Sequence, residues 1–370
     1  MSDQEAHPVR REEFLGALLG DRGAAVGDVV LPLLREAVEG LHPDLSALCG
    51  YHFGWRDVHG RPTGKNGAGK LVRARITVLA AAAVGTVTAG GDAGRDAGTA
   101  AAAAGTGAVA VELVHNYSLL HDDIVDADER RRGRPAAWAA FGAGQAILAG
   151  DALTALAVRQ LAEVPGEAGR RAVAVLVGAM EALVCGQAAD TALEHIDPDE
   201  VTFGHYFDAT PKTTALMGAC AETGALLGGA DAELAAALRQ AVAAFGLAWQ
   251  ISNDVDDIWA DPARTGKGAF GDLRAGKRTI PVIAALRSGT EEGSRLRSLL
   301  LRNGPVPAVS EERELRAMAD LVEAAGGRRY AEALAERHVG EAVDGLGSAL
   351  PPSVVRDELT GLFRRLVRTD

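Results

Sequence analysis

Alanine and leucine dominate this chain almost throughout, and runs of alternating β-branched and polar residues are hard to find. Ala and Leu are strong helix formers, whereas strands draw on Val, Ile, Thr and the aromatic residues. Aromatic residues make up only 4% of the chain. The segments Arg171–Gln187, Ala232–Trp259 and Arg313–Ala324 carry apolar residues at helical spacing and are broken by Gly or Pro near their ends. The chain therefore reads as all-α. Loops are expected at Tyr51–Ala68, Ala89–Ala97, Asp261–Gly276 and Asn303–Val309, each rich in Gly, Asp or Pro. No linker is long or biased enough to divide the chain, and no internal period of roughly 20–50 residues is visible. One domain is expected over residues 13–370, with residues 1–12 frayed.

Charge narrows the function classes. Basic residues number 38 against 50 acidic, a net charge of −12. Non-specific binding to nucleic acid or to an anionic membrane rewards a basic surface, so both are excluded as expectations. Phosphorylated ligands remain open, since they need only a few well-placed cations. Cys49, Cys185 and Cys220 are odd in number and far apart, which argues against a disulfide scaffold and for a reducing, cytoplasmic setting. The polar N-terminus does not read as a signal peptide. The longest uncharged stretches, Ile76–Gly91 and Pro135–Gly150, are too short to span a bilayer, so a soluble chain without integral membrane association is expected.

Two acidic clusters carry the chemistry. The first lies in ELVHNYSLLHDDIVDADERRRGRP, from Glu112 to Pro135, whose first half continues an apolar helix expected over Ala101–Asp126. Residues four and seven apart share a helix face, so His115, Asp122 and Asp126 form one stripe. Val114, Leu119, Leu120, Ile124 and Val125 suggest that this helix is mostly buried. Two carboxylates about 6 Å apart in a partly dry cleft repel each other and stay charged only with a counter-ion. Hard oxygen ligands that leave room for water suit Mg²⁺ bridging to phosphate. Asp123 sits about 100° around the helix and can assist from the flank. Arg130, Arg131, Arg132 and Arg134 follow, and the planar guanidinium fork matches phosphate oxygens. The alternative is a solvated helix end whose acids pair with these arginines.

The second cluster decides between the two. In AFGLAWQISNDVDDIWADPARTGKGAFGDLRAGKRTIP, Gln250, Asn253, Asp254 and Asp257 again share one helical face. Lys267, Asp272, Arg274, Lys277 and Arg278 follow on a glycine-punctuated loop that a ligand can approach closely. Twice, acids on an apolar helix precede cations. Two such faces turned towards each other would hold divalent ions around a leaving diphosphate, by electrostatic stabilisation rather than acid–base chemistry.

These residues resemble the trans-isoprenyl diphosphate synthases (polyprenyl synthetases), short-chain type, over most of the chain from about Gly69. LLHDDIVDADERRRGRP resembles the first aspartate-rich motif, WQISNDVDDIW the second, and GKGAFGDLRAGKRT the segment after it. GKLVR (Gly69–Arg73), GQAAD (Gly186–Asp190) and KTTAL (Lys212–Leu216) are similar to three shorter motifs. The resemblance implies an isoprenoid-synthase-type helical bundle around a central cavity, and a homodimer. It implies that Asp122, Asp123 and Asp126, with Asn253, Asp254 and Asp257, bind about three Mg²⁺ ions. Arg131, Lys212, Thr213, Gln250 and Lys267 would contact an allylic diphosphate, and Lys70, Arg73, His115 and Arg132 would hold isopentenyl diphosphate. Asp122, Asp126, Lys212 and Lys267 would carry catalysis.

Three positions depart from the family pattern. Asn253 stands where the second motif usually begins with Asp, Leu71 where Arg is common, and Ala74 where Pro is common. The residues just before the first motif set product length, which places bulky Tyr117, with Ser118 beside it, as a floor and implies a C15 or C20 product. A terpene cyclase on the same fold and a silent partner subunit are the rivals. Lys70, Arg73, His115 and Arg132 count against the cyclase, which needs no second diphosphate site, and the two lysine–arginine sites with the intact first motif count against the partner subunit.

Overall fold

The computed structural model describes residues 24–64, 69–88, 97–261, 269–302 and 308–367. The expected frayed stretch 1–12, most of the Ala89–Ala97 and Asn303–Val309 loops, and Lys267 lie outside the described residues.

In chain order the helices are α1 Ala24–Glu39, α2 Pro43–Phe53, α3 Val72–Thr88, α4 Ala97–Val125, α5 Ala137–Phe141, α6 Ala143–Ala162, α7 Gly166–Leu193, α8 Phe203–Ala209, α9 Pro211–Leu227, α10 Ala232–Trp259, α11 Gly271–Arg274, α12 Ile280–Leu286, α13 Glu291–Arg302, α14 Ala308–Ala324, α15 Gly327–Ala349 and α16 Val354–Leu366. Between α4 and α5, Arg130–Arg131 (β1) pairs antiparallel with Arg134–Pro135 (β2). This hairpin is a small exception to an otherwise all-α chain. Its two-residue turn has positive φ at both Arg132 (51°) and Gly133 (77°), the geometry that matches strand twist in the tightest hairpins.

The described residues group into two compact units: residues 24–180, 216–240 and 345–360, and residues 181–215, 241–344 and 361–367. In the first unit, α4 packs mainly on α6 and α3. Small residues allow a close crossing with α9. A Cβ on Gly224 would stand 2.0 Å from the Thr77 carbonyl oxygen, and one on Gly107 would stand 2.6 Å from Leu227. In the second unit, Phe245 of α10 stacks on Phe363 of α16 with ring centroids 4.1 Å apart.

Local differences from the sequence reading have physical causes. The Tyr51–Ala68 loop begins later than its composition suggests, because α2 runs through Phe53. Tyr51 and Phe53 are 5% and 0% exposed, and their burial outweighs the neighbouring Gly and His; Gly54 then ends the helix with φ 88°. Within Asp261–Gly276 the described part contains α11. Val125, expected to be buried, is exposed. By length and composition alone α7 and α10 could cross a membrane, though short uncharged stretches had suggested that none would; half of the α10 window is buried in the protein, as in a core helix.

Candidate active site

The first acidic motif sits where α4 stops. Asp128 N–H donates to Asp123 O at 2.9 Å and Ala127 N–H to Ile124 O at 3.3 Å, closing the last turn, while Ala127 adopts left-handed φ 54°. That is the paired-bond helix stop that glycine usually completes. The stop leaves Asp126 exposed and Asp122 partly exposed, stacked one turn apart. Asp123 behaves differently. It is 1% exposed, and its Oδ1 accepts from Arg131 Nε at 2.6 Å, while its buried Oδ2 has no hydrogen-bond partner. Burial holds the Asp123 carboxyl above the usual carboxylate range, against the pull of Arg131.

A cationic group lies on the same unit. Arg134 stacks over the Tyr51 ring at 4.6 Å and donates to the Tyr51 carbonyl, while Tyr51 Oη donates to Pro135 O at 2.8 Å. These contacts fasten the hairpin to α2. Arg132 reaches back to Gly69, where a Cβ would stand 3.4 Å from its guanidinium, so it lies next to exposed Lys70. His115 is held well below its ordinary pKa by withdrawal from water, and then by Arg73, Arg132, His52 and Arg131. It is therefore a neutral imidazole among cations. His52, 5% exposed and bonded to Asn116 Oδ1 at 3.2 Å, is pushed down to about 3 by burial and by Arg132 and Arg131. Lys70, Arg73, His115 and Arg132 thus belong to one neighbourhood of the first unit. A cavity of about 620 Å³ beside it is lined by Phe53, Val58, Thr63, Arg132 and Arg134, among others.

Glu112 was missed by the sequence reading. It is 1% exposed, between Arg73 and Arg132 in the field of both, and its Oε1 accepts the Ala74 N–H at 3.0 Å. Proline, common in the family at position 74, has no N–H to give. Glu112 lies three residues before His115 on the same helix face, and that spacing was the signal available. Tyr117 is buried against His121, centroids 5.7 Å apart, and burial followed by the Asp122 charge pushes its phenol up to about 12. Ser118 Oγ donates to His115 O at 2.8 Å.

The second motif, in the other unit, is built into its surroundings. Asn253 is exposed, but Asp254 is buried, with Oδ2 accepting from Tyr206 Oη at 2.7 Å. Burial first, then the Asp272 charge, raises the Asp254 carboxyl well above the carboxylate range. Asp257 Oδ2 accepts from Asp272 N–H at 2.8 Å, and Asp257 O from Phe270 N–H at 2.9 Å. Lys212 is ion-paired with Asp190. A Cβ on Gly186 would stand 2.3 Å from Lys212 N, which explains a glycine in GQAAD: α7 presses on the start of α9. Thr213 is half-buried in that first turn, and Gln250 is 9% exposed with an unpartnered Oε1. Nothing in the sequence marked Tyr206 or Asp190 as the partners of Asp254 and Lys212.

The donor set suits a hard cation on the first motif. Asp122 and Asp126 present carboxylates one turn apart, and Asp123 Oδ2 is left unpartnered beside them. Among the described residues no group of three or more His, Cys, Asp or Glu forms a ready-made cage.

Comparison with known proteins gives concordant results. The polyprenyl synthetase family model matches residues 64–315. The chain is 39% identical over 341 residues to a (2E,6E)-farnesyl diphosphate synthase of Mycobacterium tuberculosis, covering 92% of this chain and 90% of the relative. It is 38% identical over 363 residues to a geranylgeranyl diphosphate synthase of the same organism, covering 96% and 97%. A polyprenyl synthetase structure from Streptomyces coelicolor A3(2) superposes with a TM-score of 0.85 at 38% identity, covering 94% of this chain and 100% of that one.

Proposed function

The chain belongs to the polyprenyl synthetase family, and from that premise we propose that it condenses isopentenyl diphosphate with an allylic diphosphate to a C15 or C20 product. It is a short-chain prenyltransferase with the all-α isoprenoid synthase fold. One observation carries the finer reading. A single helix, α4, bears His115 among Arg73 and Arg132 and, two turns further on, the Asp122 carboxylate, with Asp126 just past its last residue. One member of the diphosphate-binding group and the first carboxylate of the cation-binding group therefore share one rigid element.

Asp122 and Asp126 would hold magnesium, with Asp123 behind them, and a third ion would rest on Asn253 and Asp257. Bound there, magnesium would neutralise the diphosphate leaving the allylic carbon. Arg131, Lys212, Thr213, Gln250 and Lys267 bind and orient that diphosphate. Lys70, Arg73 and Arg132 bind isopentenyl diphosphate as cations, while neutral His115 donates one N–H. The alkene of isopentenyl diphosphate attacks the allylic carbon, and the proton lost afterwards goes to the released diphosphate. No side-chain nucleophile is required. Apolar neighbours on α4 keep water from the reactive carbon. Tyr117 and Ser118 act as the floor that stops elongation.

The three free cysteines support a reducing cytoplasmic setting. Exposed Val177 and Val184 on α7 support the homodimer. Mass analysis of products from dimethylallyl, geranyl and farnesyl diphosphates, with and without isopentenyl diphosphate, tests the reading. Products five carbons longer, formed only with the co-substrate and abolished by excess chelator, are expected. A hydrocarbon made without isopentenyl diphosphate would reject it in favour of the cyclase, and turnover in excess chelator would reject the metal.

A further inference from the structure

We infer that Tyr206 is a positioning residue for the allylic diphosphate site, acting through a hydrogen bond to Asp254, and that Asp254 serves this bond rather than a metal ion. The inference rests on the reading that Lys212 and Gln250 contact the allylic diphosphate.

Tyr206 is 4% exposed, and its hydroxyl donates to Asp254 Oδ2 at 2.7 Å; the same oxygen also receives Ile280 N–H at 3.5 Å. Asp254 is 9% exposed, so one carboxylate joins α8, α10 and the start of α12 within a single unit. Gln250 lies one turn before Asp254, on the same face of α10, and Tyr206 Oη lies within hydrogen-bonding reach of Gln250 as well. Lys212 follows α8 after a short junction, so the orientation of α8 sets where the lysine begins.

The α8 helix is itself held at several points. Thr202 Oγ1 accepts from His205 N–H at 3.4 Å, and Thr202 N–H donates to His205 Nδ1 at 3.2 Å, a reciprocal cap. Phe203 stacks on Tyr330 with centroids 5.0 Å apart. At the junction, the Gly186 contact and the Asp190 ion pair confine the Lys212 backbone and ammonium. The hydroxyl of Tyr206 joins the face carrying Gln250 to the helix that leads to Lys212, and the Lys212 ammonium itself acts on Asp254 through space. Asp254 Oδ2, receiving both a phenol and a backbone N–H, is engaged by its own protein. The exposed Asn253 is left to face outward.

Tyr206→Phe removes the hydroxyl and keeps the ring. A hydrogen bond to a charged group contributes enough that its loss corresponds to roughly a tenfold change in affinity. The KM for geranyl diphosphate is expected to rise about tenfold. The KM for isopentenyl diphosphate should stay within about twofold, and the thermal midpoint without metal close to that of the unmodified chain. Calorimetric titration with a non-reacting thiolo analogue of geranyl diphosphate should show the same weakening without turnover. Asp254→Ala should raise the geranyl diphosphate KM similarly, and the double variant should be no worse than about twofold beyond the poorer single one, because both changes break one contact.

An unchanged geranyl diphosphate KM in Tyr206→Phe, or an equal rise in both KM values, overturns the inference. So does an additive double variant. If the unmodified chain neither binds the thiolo analogue nor turns over any allylic diphosphate, the functional reading itself fails and takes this inference with it.

Discussion

The two acidic motifs look alike in sequence and behave differently in the fold. In the first, α4 stops at Val125, so Asp126 lies outside the helix, exposed, with Asp122 partly exposed above it. In the second, α10 continues to Trp259, beyond Asp257, and α8 together with the Phe270–Asp272 segment supplies donors to Asp254 and Asp257. Buried acids occur in both: Asp123 has Arg131, and Asp254 has Tyr206. The lesson is that acids at helical spacing meet different surroundings: where the helix ends, Asp122 and Asp126 reach solvent. Elsewhere, as at Asp254, a carboxylate becomes a joint of the fold.

The contrast can be broken or sharpened by measurement. The largest effect is expected at the open end: Asp122→Asn should lower product formation roughly 10²- to 10³-fold, as lost electrostatic stabilisation of a developing charge does. Incorporation of labelled isopentenyl diphosphate reads it, and a loss under tenfold would put Asp122 outside the chemistry.

Next comes acid stability, set by the buried histidines beside the arginines of the first motif. His52 is pushed down to about 3 in the folded chain from an ordinary value of 6.5. The unfolded chain therefore takes up the proton first as pH falls. The stability that neutral His52 contributes is present above about pH 6.5 and is lost between there and about pH 3, at about 1.4 kcal/mol per pH unit. His115, shifted in the same direction, adds to the loss. Denaturant melts from pH 7 to pH 4 should be distinctly shallower in their pH dependence for His52→Gln; parallel curves would contradict the assignment.

Arg131→Ala strands the buried Asp123 carboxylate and should lower unfolding free energy by about 1–3 kcal/mol. Tyr206→Phe should cost less, because Asp254 Oδ2 keeps the Ile280 N–H, whereas Arg131→Ala removes the ion-pair partner of Asp123. Equal losses in chemical denaturation would erase the difference between the two buried acids. The smallest effect belongs to the helix stop. Ala127 holds left-handed φ 54°, a strain of about 1 kcal/mol for a residue with a Cβ, so Ala127→Gly should stabilise by about that amount. A lower thermal midpoint for this variant would show that the stop is not strained.

Much of this was legible beforehand. The apolar period marked α10 at Ala232–Trp259 to the residue and placed α4 within a few residues, because long apolar helical patterns leave few other solutions. The spacing of His115, Asp122 and Asp126 put them on one helical stripe; α4 carries the first two, and Asp126 follows just past its end. Less legible were the hairpin made by RRGRP, the extension of α2 into a Gly- and His-rich stretch, and the exposure of Val125. Each depends on what packs nearby. Glu112 could have been read from its i, i+3 relation to His115. Tyr206 could not, since it lies on a separate helix 48 residues before Asp254.

By itself the sequence determined the helical class, the order of the charged motifs and the chemistry they favour, because backbone propensity and i, i+4 spacing are local properties. Only the tertiary structure decided which carboxylates reach solvent and which are buried against protein donors. That choice is made by burial and by partners distant in the chain, such as Arg131 for Asp123 and Tyr206 for Asp254, and neither is encoded in the spacing of the acids themselves.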